Sequence, residues 1–543
     1  MKQRDFGRRI FVAAGALWVG LSAGVGHSAA ETDAEPRLVV IIAIDQLRRD
    51  RLNPTLPGGL GRLAREGRVY REGTLDHAGT ATCPGHVSIV GGRHPGTMGV
   101  PGNRYLNESG ERIYCVEDDP ETAGVIGVAT PTGRSPRKIR GTTLGDWIKA
   151  AHPNARVFGV GGKDRASITM AGHQGDAAYW LETEDMTGFT TSRYYEPALP
   201  AWVAAWNDDL GPRIPTTWET RYPLEGNRAD DFEGESDANS RSFPHTLHAD
   251  DPEEAAQFLL MSPYPDQFTL EFAEELVVKE GLGQDDAPDL LAIGLSSVDR
   301  VGHAYGPWSW ESHDALLRLD AQLGEFLAFL DERIGPGRTL VALSADHGVL
   351  PLPEWLLAHD QATCPDPDGR RSTLWLIAGL YFDLWYEFSP LFSKPGAWMH
   401  AGAAGLRVNR ELAERHGVDP QEVIAAAKIL LEDEDVIEKA WTREEILGGG
   451  DEFARLYRNS YDPERSGDLS IQVAEGCLVW PFDGGTSHGS PYAYDRDVPV
   501  LLWGAGVEPG IIDGPARTID ISPSLAQHLR VPVPDDLDGK PLP

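Results

Sequence analysis

Three runs of β-branched and aliphatic residues in this chain each stop at, or just before, a carboxylate. They are Leu38 to Ile44 before Asp45, Leu290 to Leu295 before Asp299, and Leu340 to Ser344 before Asp346. Short continuous apolar runs are typical of strands buried on both faces of a parallel sheet. The carboxyl ends of such strands line the crevice in which α/β proteins bind ligands. We therefore expect the three carboxylates to meet in one crevice.

Three histidines accompany these carboxylates. His303 follows Asp299 by four residues, one helical turn, so both side chains can face one ion. His347 directly follows Asp346, and neighbouring side chains on an extended backbone diverge, so these two are expected to serve different ions or different sides of one ion. His488 lies near the end of the chain in TSHGSPY. Mixed imidazole and carboxylate ligation favours zinc over calcium or magnesium, and the pattern predicts a metallohydrolase.

A threonine at the start of a predicted helix is the candidate nucleophile. In TATCPGH, Pro84 is typical of a first helical turn, which makes Thr82 a candidate N-cap. A helix N-terminus also offers free N–H groups and a partial positive charge, which favour an alkoxide and an incoming phosphate. The residues alone leave both roles open. Cys83 competes as the nucleophile, although its side chain is expected to point away from that of Thr82.

Strands alternate with helical patterns along the chain. This order predicts an α/β fold with a doubly wound, mostly parallel central sheet flanked by helices. Further predicted elements are strands at Arg156 to Val160 and Val498 to Trp503 and a long helix from His313 to Arg333. Residues 183–250 read as long ordered loops, and residues 350–483 as a small subdomain. We interpret both as insertions in one catalytic domain, residues 31–543.

The excess of acidic over basic residues argues against nucleic acid as a partner. The formal net charge is −34 over 543 residues and is not gathered into one tail. Such a surface does not favour nucleic-acid binding. No stretch of the mature chain is long and apolar enough to span a bilayer, since the nearest, Leu374 to Phe388, is interrupted by Asp383.

The N-terminus has the pattern of a secretory signal. Basic residues precede an apolar stretch, Ile10 to Val25, and small residues end at Ala30. We expect residues 1–30 to be removed after Ala30 and the mature protein to be periplasmic or secreted; an uncleaved anchor is the alternative. The pair Arg8 and Arg9 leaves the twin-arginine route open. Export permits disulfides among the four cysteines, whose pairing the sequence leaves open: Cys83, Cys115, Cys364 and Cys477.

Seven short motifs point together to one family. In chain order they are AIDQ, TATCPGH, GNRY, GGKDR, SSVDRVGH, SADHG and TSHGSPY. This set resembles the alkaline phosphatase superfamily, which includes type I phosphodiesterases and nucleotide pyrophosphatases. It is most similar to the monomeric, phosphate-irrepressible alkaline phosphatases that use Thr in place of Ser. The resemblance runs from about Leu38 to the C-terminus, and it implies a monomer.

The resemblance also implies a set of site residues. Two zinc ions are implied, one held by Asp299, His303 and His488, the other by Asp45, Asp346, His347 and the Thr82 oxygen. Thr82 is implied to carry the phosphoryl group in a covalent intermediate. Asn103 is implied to donate to a phosphoryl oxygen, and Lys163 with Arg165 matches the pair that marks the monoesterase branch.

There is a physical reason why a monoesterase would need both Lys163 and Arg165. A phosphate monoester dianion carries one more charged oxygen than a diester, and an ammonium with a planar guanidinium can compensate that charge. The predicted function is therefore an exported, zinc-dependent phosphate monoester hydrolase of broad specificity. Sulfatases of the same superfamily use a C-x-P-x-R setting that Cys83 and Pro84 do not match. Two alternatives are a phosphodiesterase or nucleotide pyrophosphatase on the same core, and an inactive periplasmic metal- or phosphate-binding relative.

Overall fold

The computed structural model describes residues 35–183, 188–222, 230–389 and 397–543. The predicted signal segment, residues 1–30 with its cleavage site after Ala30, lies outside the described residues. Among the helices of the described ranges, none combines the length and the apolar character needed to cross a membrane.

A nine-stranded sheet forms the centre of the molecule. From edge to edge its strands are Gly510–Arg517, Arg68–Thr74, Val500–Gly504, Thr339–Ser344, Leu38–Ile44, Asp289–Leu295, Val157–Gly161, Ala177–Leu181 and Phe189–Thr190. The five from Thr339–Ser344 to Ala177–Leu181 run parallel. Antiparallel pairing begins only at Val500–Gly504 and Phe189–Thr190. The predicted α/β, mostly parallel sheet is confirmed.

The strand Leu38–Ile44 explains why helices cover both faces. Its alternate residues enter two separate apolar clusters: Val40 and Ile42 belong to one, Val39 and Ile41 to the other. Each fully buried aliphatic side chain contributes roughly 1.5–3 kcal/mol relative to exposure. One face packs against helices Gly59–Glu66, Ala201–Asp208, Tyr264–Glu280 and Trp310–Arg333. The other packs against Thr82–Gly91, Leu144–Ala151, Asp164–Ala171 and Ile521–Leu529.

Several element boundaries differ from the sequence prediction for local reasons. The last predicted strand starts at Val500 instead of Val498, because Pro499 has no N–H for the ladder. The long helix begins three residues early, at Trp310, because the Ser309 side chain accepts from Ser312 N and caps it. The strand predicted at Arg156 to Val160 is Val157–Gly161. The region predicted as ordered loops includes the helix Ala201–Asp208, which starts after Pro200.

The second inserted region carries a sheet of its own. Its strand order is Met399–Gly402, Gly405–Val408, Leu469–Val473 and Ile437–Thr442. Its helices are Thr373–Phe388, Arg410–His416, Pro420–Glu432, Arg443–Gly448 and Glu452–Ser460. A separate apolar cluster that includes Leu384, Trp398 and Leu431 fills this unit. The Cys364–Cys477 disulfide joins its two ends.

Short elements complete the described secondary structure. The strand pairs are Arg104–Leu106 with Arg112–Tyr114, Glu117–Asp118 with Gly133–Arg134, Thr217–Trp218 with His245–Thr246, and Arg370–Ser372 with Leu478–Trp480. The remaining helices are Pro120–Ala123, Pro252–Leu260, Ser297–Tyr305, Pro353–Ala358 and Ala493–Arg496. The pair with Leu478–Trp480 matters most for the site, because Trp480 packs against one of its histidines.

Candidate metal centre and active site

Three neighbouring parallel strands bring the predicted carboxylates together. Asp45 follows Leu38–Ile44 directly, and the registers of this strand with Asp289–Leu295 and Thr339–Ser344 are continuous to their carboxyl ends. Asp299 lies in the first turn of the helix Ser297–Tyr305. The side chains of Asp45, Asp299 and Asp346 are all buried. Such a concentration of buried carboxylates requires positive charge in the same place.

The first group of ligand atoms is completely enclosed. Asp45, His86 and Asp346 each offer one ligand atom, and these atoms lie within 4.8 Å of one another. The ring of His86 is 3.3 Å from Asp45 Oδ1 and 3.4 Å from Asp346 Oδ2. We call these three residues the buried cluster. His86 was missed by the sequence analysis, although its position one helical turn after Thr82 places both on one face of the helix.

The second group lies beside it and is more accessible. His303 Nε2 is 3.2 Å from Asp299 Oδ1, and His488 Nε2 is 3.8 Å from the same oxygen. His303 Nδ1 is 2.7 Å from the Thr486 carbonyl, and His488 Nδ1 is 2.6 Å from the Thr80 carbonyl. These bonds orient both rings with Nε2 toward Asp299, as metal-binding histidines require. We call Asp299, His303 and His488 the open cluster.

His347 lies between the two clusters. Its Nε2 is 3.3 Å from Asp346 Oδ2, and its ring stacks on that of His488 with centroids 3.4 Å apart. Its ligand atom is also within 4.8 Å of those of Asp299 and His488. Asp346 belongs to the group with Asp45 and His86, whereas His347 belongs to a group with Asp299 and His488, so service to different ions or different sides of one ion stays a prediction. The two side chains nevertheless approach each other, because the strand ends at Ser344 and the pair lies in a loop. The resemblance implied His347 for the group with Asp45; its position allows either group.

The donor atoms fit divalent cations. Four buried atoms at the centre have no hydrogen-bond partner among the described residues: Asp45 Oδ1, His86 Nε2, Asp346 Oδ2 and His347 Nε2. A buried polar atom without a partner costs about 1–3 kcal/mol, so four at one place call for a ligand. Imidazole and carboxylate together are the donor set of zinc and similar transition metals.

Lys163 links the clusters electrostatically. Its Nζ is 2.7 Å from Asp45 Oδ2 and 2.5 Å from Asp299 Oδ2. Burial and then the neighbouring Asp45 charge raise the pKa of Asp346 to about 8. One ammonium among three carboxylates therefore leaves the site short of positive charge, which a metal ion would supply.

Thr82 is the first residue of the helix Thr82–Gly91, and Ala81 occupies the N-cap position. The prediction of Thr82 as the N-cap is therefore wrong, and its hydroxyl is free of a capping role. Thr82 Oγ1 instead accepts a hydrogen bond from Arg165 Nη2 at 3.4 Å. Cys83 forms a disulfide with Cys115, so the competing thiol nucleophile is also excluded.

Gly85 holds this helix against the buried cluster. A Cβ at this position would lie 2.2 Å from the Asp346 carbonyl oxygen, far inside van der Waals contact. Only glycine allows the first turn of the helix to touch the loop that carries Asp346. The close approach keeps Thr82 and His86 beside the carboxylates.

A cavity of about 390 Å³ opens on the Thr82 side of the site. Six of its lining residues carry polar or charged groups relevant to an anion: Asn103, Tyr114, Arg134, Lys163, Arg165 and Arg300. Asn103 Oδ1 accepts from Cys83 N at 2.8 Å, which leaves its Nδ2 group as a donor. The cavity is therefore rich in cations and donors, as an anionic substrate needs.

Arg165 is available for such an anion because a neighbour neutralises the nearest acid. Arg134 Nε donates to Asp164 Oδ2 at 2.6 Å, and the Tyr114 hydroxyl donates to Asp164 Oδ1 at 2.6 Å. Arg165 makes only longer contacts, with the Tyr114 and Thr82 hydroxyls, and its Nε is buried without a partner. Its planar fork can therefore take two oxygens of a phosphoryl group.

The chain is similar to characterised proteins over nearly its whole length. The sequence model of the type I phosphodiesterase / nucleotide pyrophosphatase family matches residues 39–490. The chain is 30% identical over 535 residues to alkaline phosphatase PafA of Elizabethkingia meningoseptica, with 95% of each chain covered. It is 32% identical to alkaline phosphatase PhoV of Synechococcus elongatus, over 94% of this chain and 93% of PhoV. It is also 32% identical to a protein named calcium-transporting ATPase from Myroides odoratus, over 95% of each.

Solved structures agree with this relationship. The crystal structure of wild-type PafA superposes with a TM-score of 0.87 at 30% identity, over 94% of this chain and 98% of PafA. Murine ectonucleotide pyrophosphatase / phosphodiesterase 5 shares the fold, with a TM-score of 0.52 at 12% identity over 93% of this chain and 98% of that one. The resemblance to the alkaline phosphatase superfamily is thus confirmed, and the chain belongs to the type I phosphodiesterase / nucleotide pyrophosphatase family.

Proposed function

We propose that the protein is an alkaline phosphatase: a zinc-dependent hydrolase of small-molecule phosphate monoesters with broad specificity. One observation carries the proposal, the contact between Arg165 Nη2 and Thr82 Oγ1 at 3.4 Å beside the two clusters. It puts a candidate nucleophile and a cation suited to a dianion at the same point. Relatives named alkaline phosphatase, about 30% identical to this chain, support the same reaction class.

Two zinc ions fit the donor atoms described above. The buried cluster, with His347 and the Thr82 oxygen, would hold one, and the open cluster the other. When bound, they lower the pKa of a coordinated hydroxyl or water and stabilise negative charge on oxygen.

Thr82 is the proposed nucleophile. Its hydroxyl gives its proton to solvent, its oxygen forms a bond to phosphorus, and the leaving group departs with the ester oxygen and its electron pair. Water then attacks the phosphothreonine, which releases phosphate and restores the hydroxyl. The helix N-terminus at Thr82 adds a partial positive charge that stabilises the alkoxide. Deprotonation of the hydroxyl and the water favours activity at alkaline pH.

Three side chains orient the phosphoryl group. Arg165 binds two of its oxygens, and the Asn103 Nδ2 group donates to a third. Lys163, held at the junction of the clusters, adds charge on the side of Asp45 and Asp299. These groups compensate the second negative charge of a monoester, which a diester lacks.

We extend the proposal to the setting of the enzyme. The signal-like N-terminus supports export to the periplasm or beyond. The net charge of −34 supports a soluble enzyme that does not bind nucleic acid. A monomer is proposed from the family resemblance alone.

Paired substrates test the monoesterase assignment. We expect the kcat/KM for para-nitrophenyl phosphate to exceed that for bis-para-nitrophenyl phosphate in the wild-type enzyme. Arg165→Ala should lower monoester kcat/KM by about 100-fold or more and diester kcat/KM far less, since a charge-assisted bidentate contact to a transition state contributes several kcal/mol. Arg71→Ala is the matched control, an exposed arginine paired with Asp513.

The same measurements can overturn the proposal. A wild-type preference for the bis-ester would identify a phosphodiesterase on this core. Equal losses on both substrates in Arg165→Ala would show that the guanidinium does not discriminate. Purified protein that binds zinc but turns over neither substrate would favour the inactive, metal-binding alternative.

A further inference from the structure

A buried aspartate that belongs to neither cluster is bonded to the turn beside both. Asp266 lies in the first turn of the helix Tyr264–Glu280 and is only 1% exposed. None of the motifs that define the site includes it, and it is not among the ligand atoms of either cluster. No lysine, arginine or histidine of the described residues forms an ion pair with it. A buried carboxyl without a cation needs other partners.

Those partners are at the start of the helix Ser297–Tyr305, which carries two ligands of the open cluster. Asp266 Oδ1 accepts hydrogen bonds from Ser296 N at 2.6 Å and from Ser297 N at 3.0 Å. In return, Ser297 Oγ accepts a hydrogen bond from Asp266 N at 3.1 Å. The carboxyl thus binds N–H groups that a helix start leaves without internal partners, at the positive end of the helix. These reciprocal bonds fix the two helix starts against each other.

The same turn reaches the buried cluster through a hydroxyl. Ser296 Oγ donates to Asp45 Oδ2 at 3.2 Å, and Lys163 Nζ is 2.7 Å from the same oxygen. Ser296 is therefore bonded to Asp266 through its N–H group and to Asp45 through its hydroxyl. A displacement of this turn would move Asp45 and, through the helix that follows, Asp299 as well.

The second carboxyl oxygen of Asp266 argues against a role in fold stability alone. Asp266 Oδ2 is buried without a hydrogen-bond partner among the described residues. Burial raises the pKa of Asp266 to about 7, although the N–H groups of Ser297 and Ser296 act in the opposite direction. A buried polar atom without a partner is destabilising. The bonds of Oδ1 to the turn therefore remain the main contribution of this side chain.

Resting on the proposed function, we infer that Asp266 is a positioning residue for the metal centre. It holds the turn from which Asp45 and the ligands of the open cluster take their positions. It touches neither the substrate nor a metal ion and acts through Ser296 and Ser297. Replacing a group that orients metal ligands typically lowers metal affinity or activity by about 10- to 100-fold. Binding of the phosphoryl group depends on Arg165 and should change much less.

Asp320 provides a matched control, because it has the same kind of contacts away from the site. It is 1% exposed, and its carboxylate accepts hydrogen bonds from Gly58 N at 2.6 Å and from Gly61 N at 3.1 Å. These N–H groups belong to the start of the helix Gly59–Glu66, which carries no candidate ligand. Asp266→Ala and Asp320→Ala should therefore lower Tm by similar amounts, whereas only Asp266→Ala should change the metal centre.

The test measures zinc affinity by competition with a chromophoric chelator, and activity with para-nitrophenyl phosphate. We expect Asp266→Ala to weaken zinc binding and to lower kcat by about 10- to 100-fold each, with KM almost unchanged. Asp266→Asn keeps an acceptor oxygen for the two N–H groups and should recover most of both losses. Ser296→Ala removes only the bond to Asp45 and should cause a smaller loss of each. Asp320→Ala should match the wild type in zinc affinity and kcat.

Two results would overturn the inference, and they can be told apart. Wild-type zinc affinity and kcat in Asp266→Ala would show that Asp266 only stabilises the fold, and would leave the phosphatase assignment intact. Wild-type protein that binds no zinc or hydrolyses no monoester would remove the proposed function, and the role of Asp266 with it. If Asp266→Ala does not fold, Ser296→Ala decides, because unchanged zinc affinity and kcat in that variant would likewise overturn the inference.

Discussion

The two ligand clusters use the same residue types in different surroundings. In the buried cluster the side chains of Asp45, His86 and Asp346 are 0% exposed. In the open cluster the His303 side chain is 26% exposed and that of His488 is 11% exposed. The first is closed by the helix that carries Thr82, whereas the second faces a wide cavity. In the proposed mechanism, carboxylates and imidazoles would thus serve a nucleophile on one side and a departing group on the other.

The difference follows from what packs above each cluster. Gly85 brings the helix Thr82–Gly91 into contact with the Asp346 backbone, which excludes solvent from the buried cluster. At the open cluster, the Thr486 carbonyl and the Trp480 ring contact His303, and the two histidines remain partly exposed. A leaving group of variable size needs space, while a nucleophile needs one constant position. In the proposed mechanism, burial would therefore distinguish the two roles, which the residue types alone do not.

The largest loss of activity is expected when the proposed nucleophile is replaced. Thr82→Ala should lower kcat for para-nitrophenyl phosphate by at least about 10³-fold, because among the described residues only the hydroxyls of Thr82 and Tyr114 contact the Arg165 guanidinium. Thr82→Ser keeps the hydroxyl and should retain substantial activity. Rapid quenching of wild-type enzyme with labelled substrate should trap phosphate on Thr82. Full activity in Thr82→Ala would move the chemistry away from the buried cluster.

A pair of ligand substitutions compares the clusters directly. Asp346→Ala should lower kcat/KM on the order of 100-fold or more and reduce bound zinc by one equivalent, because it removes a ligand that solvent cannot replace. His303→Ala should cost less, since water can take its place at the more exposed position. Steady-state kinetics and metal analysis of both purified variants check this order. A larger loss in His303→Ala would contradict the assignment of the buried cluster to the nucleophile.

Metal removal should distinguish the clusters by rate. We expect a chelator at moderate concentration to release zinc in two phases, the faster from the open cluster and the slower from the buried one. The physical reason is access, because the side chains of His303 and His488 are partly exposed whereas those of the buried cluster are not. A zinc-sensitive dye follows the release, and activity lost in the first phase should return when zinc is restored. A single phase would mean that the burial difference does not control access.

The smallest effect on activity is expected at Glu235, a buried carboxyl in a separate cavity that Tyr305 and Trp308 also line, where the substitution should change stability. Burial and then the Glu311 charge raise the pKa of Glu235 from 4.5 to about 9. A carboxyl with a raised folded pKa stabilises the protein fully below its unfolded pKa, and this contribution is lost as the pH rises from about 4.5 to about 9. Glu235→Gln should therefore increase the free energy of unfolding at pH 9 and leave it almost unchanged at pH 4.5. Thermal unfolding at both pH values measures it; an equal change at both would contradict the shifted pKa.

The sequence analysis succeeded where the information was local. The apolar run before Asp45 and the helical pattern from His313 to Arg333 were sufficient to predict the parallel sheet and the long helix that covers it. Boundaries moved where a single residue acted on the backbone, as Pro499 and Ser309 did. The exposed apolar face of Thr373–Phe388 has no explanation in the structure, since Trp375 and Tyr386 are 79% and 78% exposed.

The candidate site was foreseen in part for the same reason. Motifs named its carboxylates and Thr82, since each stands at a recognisable strand or helix end. The sequence analysis did not identify His86, because nothing in the neighbouring residues distinguishes a metal-ligating histidine inside a helix. Its place in the cluster depends on Asp45 and Asp346, which approach it from distant parts of the chain. The disulfide that removes Cys83 as a nucleophile likewise depends on the position of Cys115.

Residue types and their order along the chain were sufficient to predict the family, the parallel sheet and the types of metal-ligating side chains. The reason is that strand ends and helix starts are encoded by neighbouring residues. Which ligands share a cluster and which cluster is closed depended on packing between segments far apart in sequence. The positions of the ligands are set by the tight contact of Gly85 with the Asp346 backbone and by the end of the strand at Ser344. Side-chain burial arises from the whole assembly of helices and loops, and no short pattern contains it.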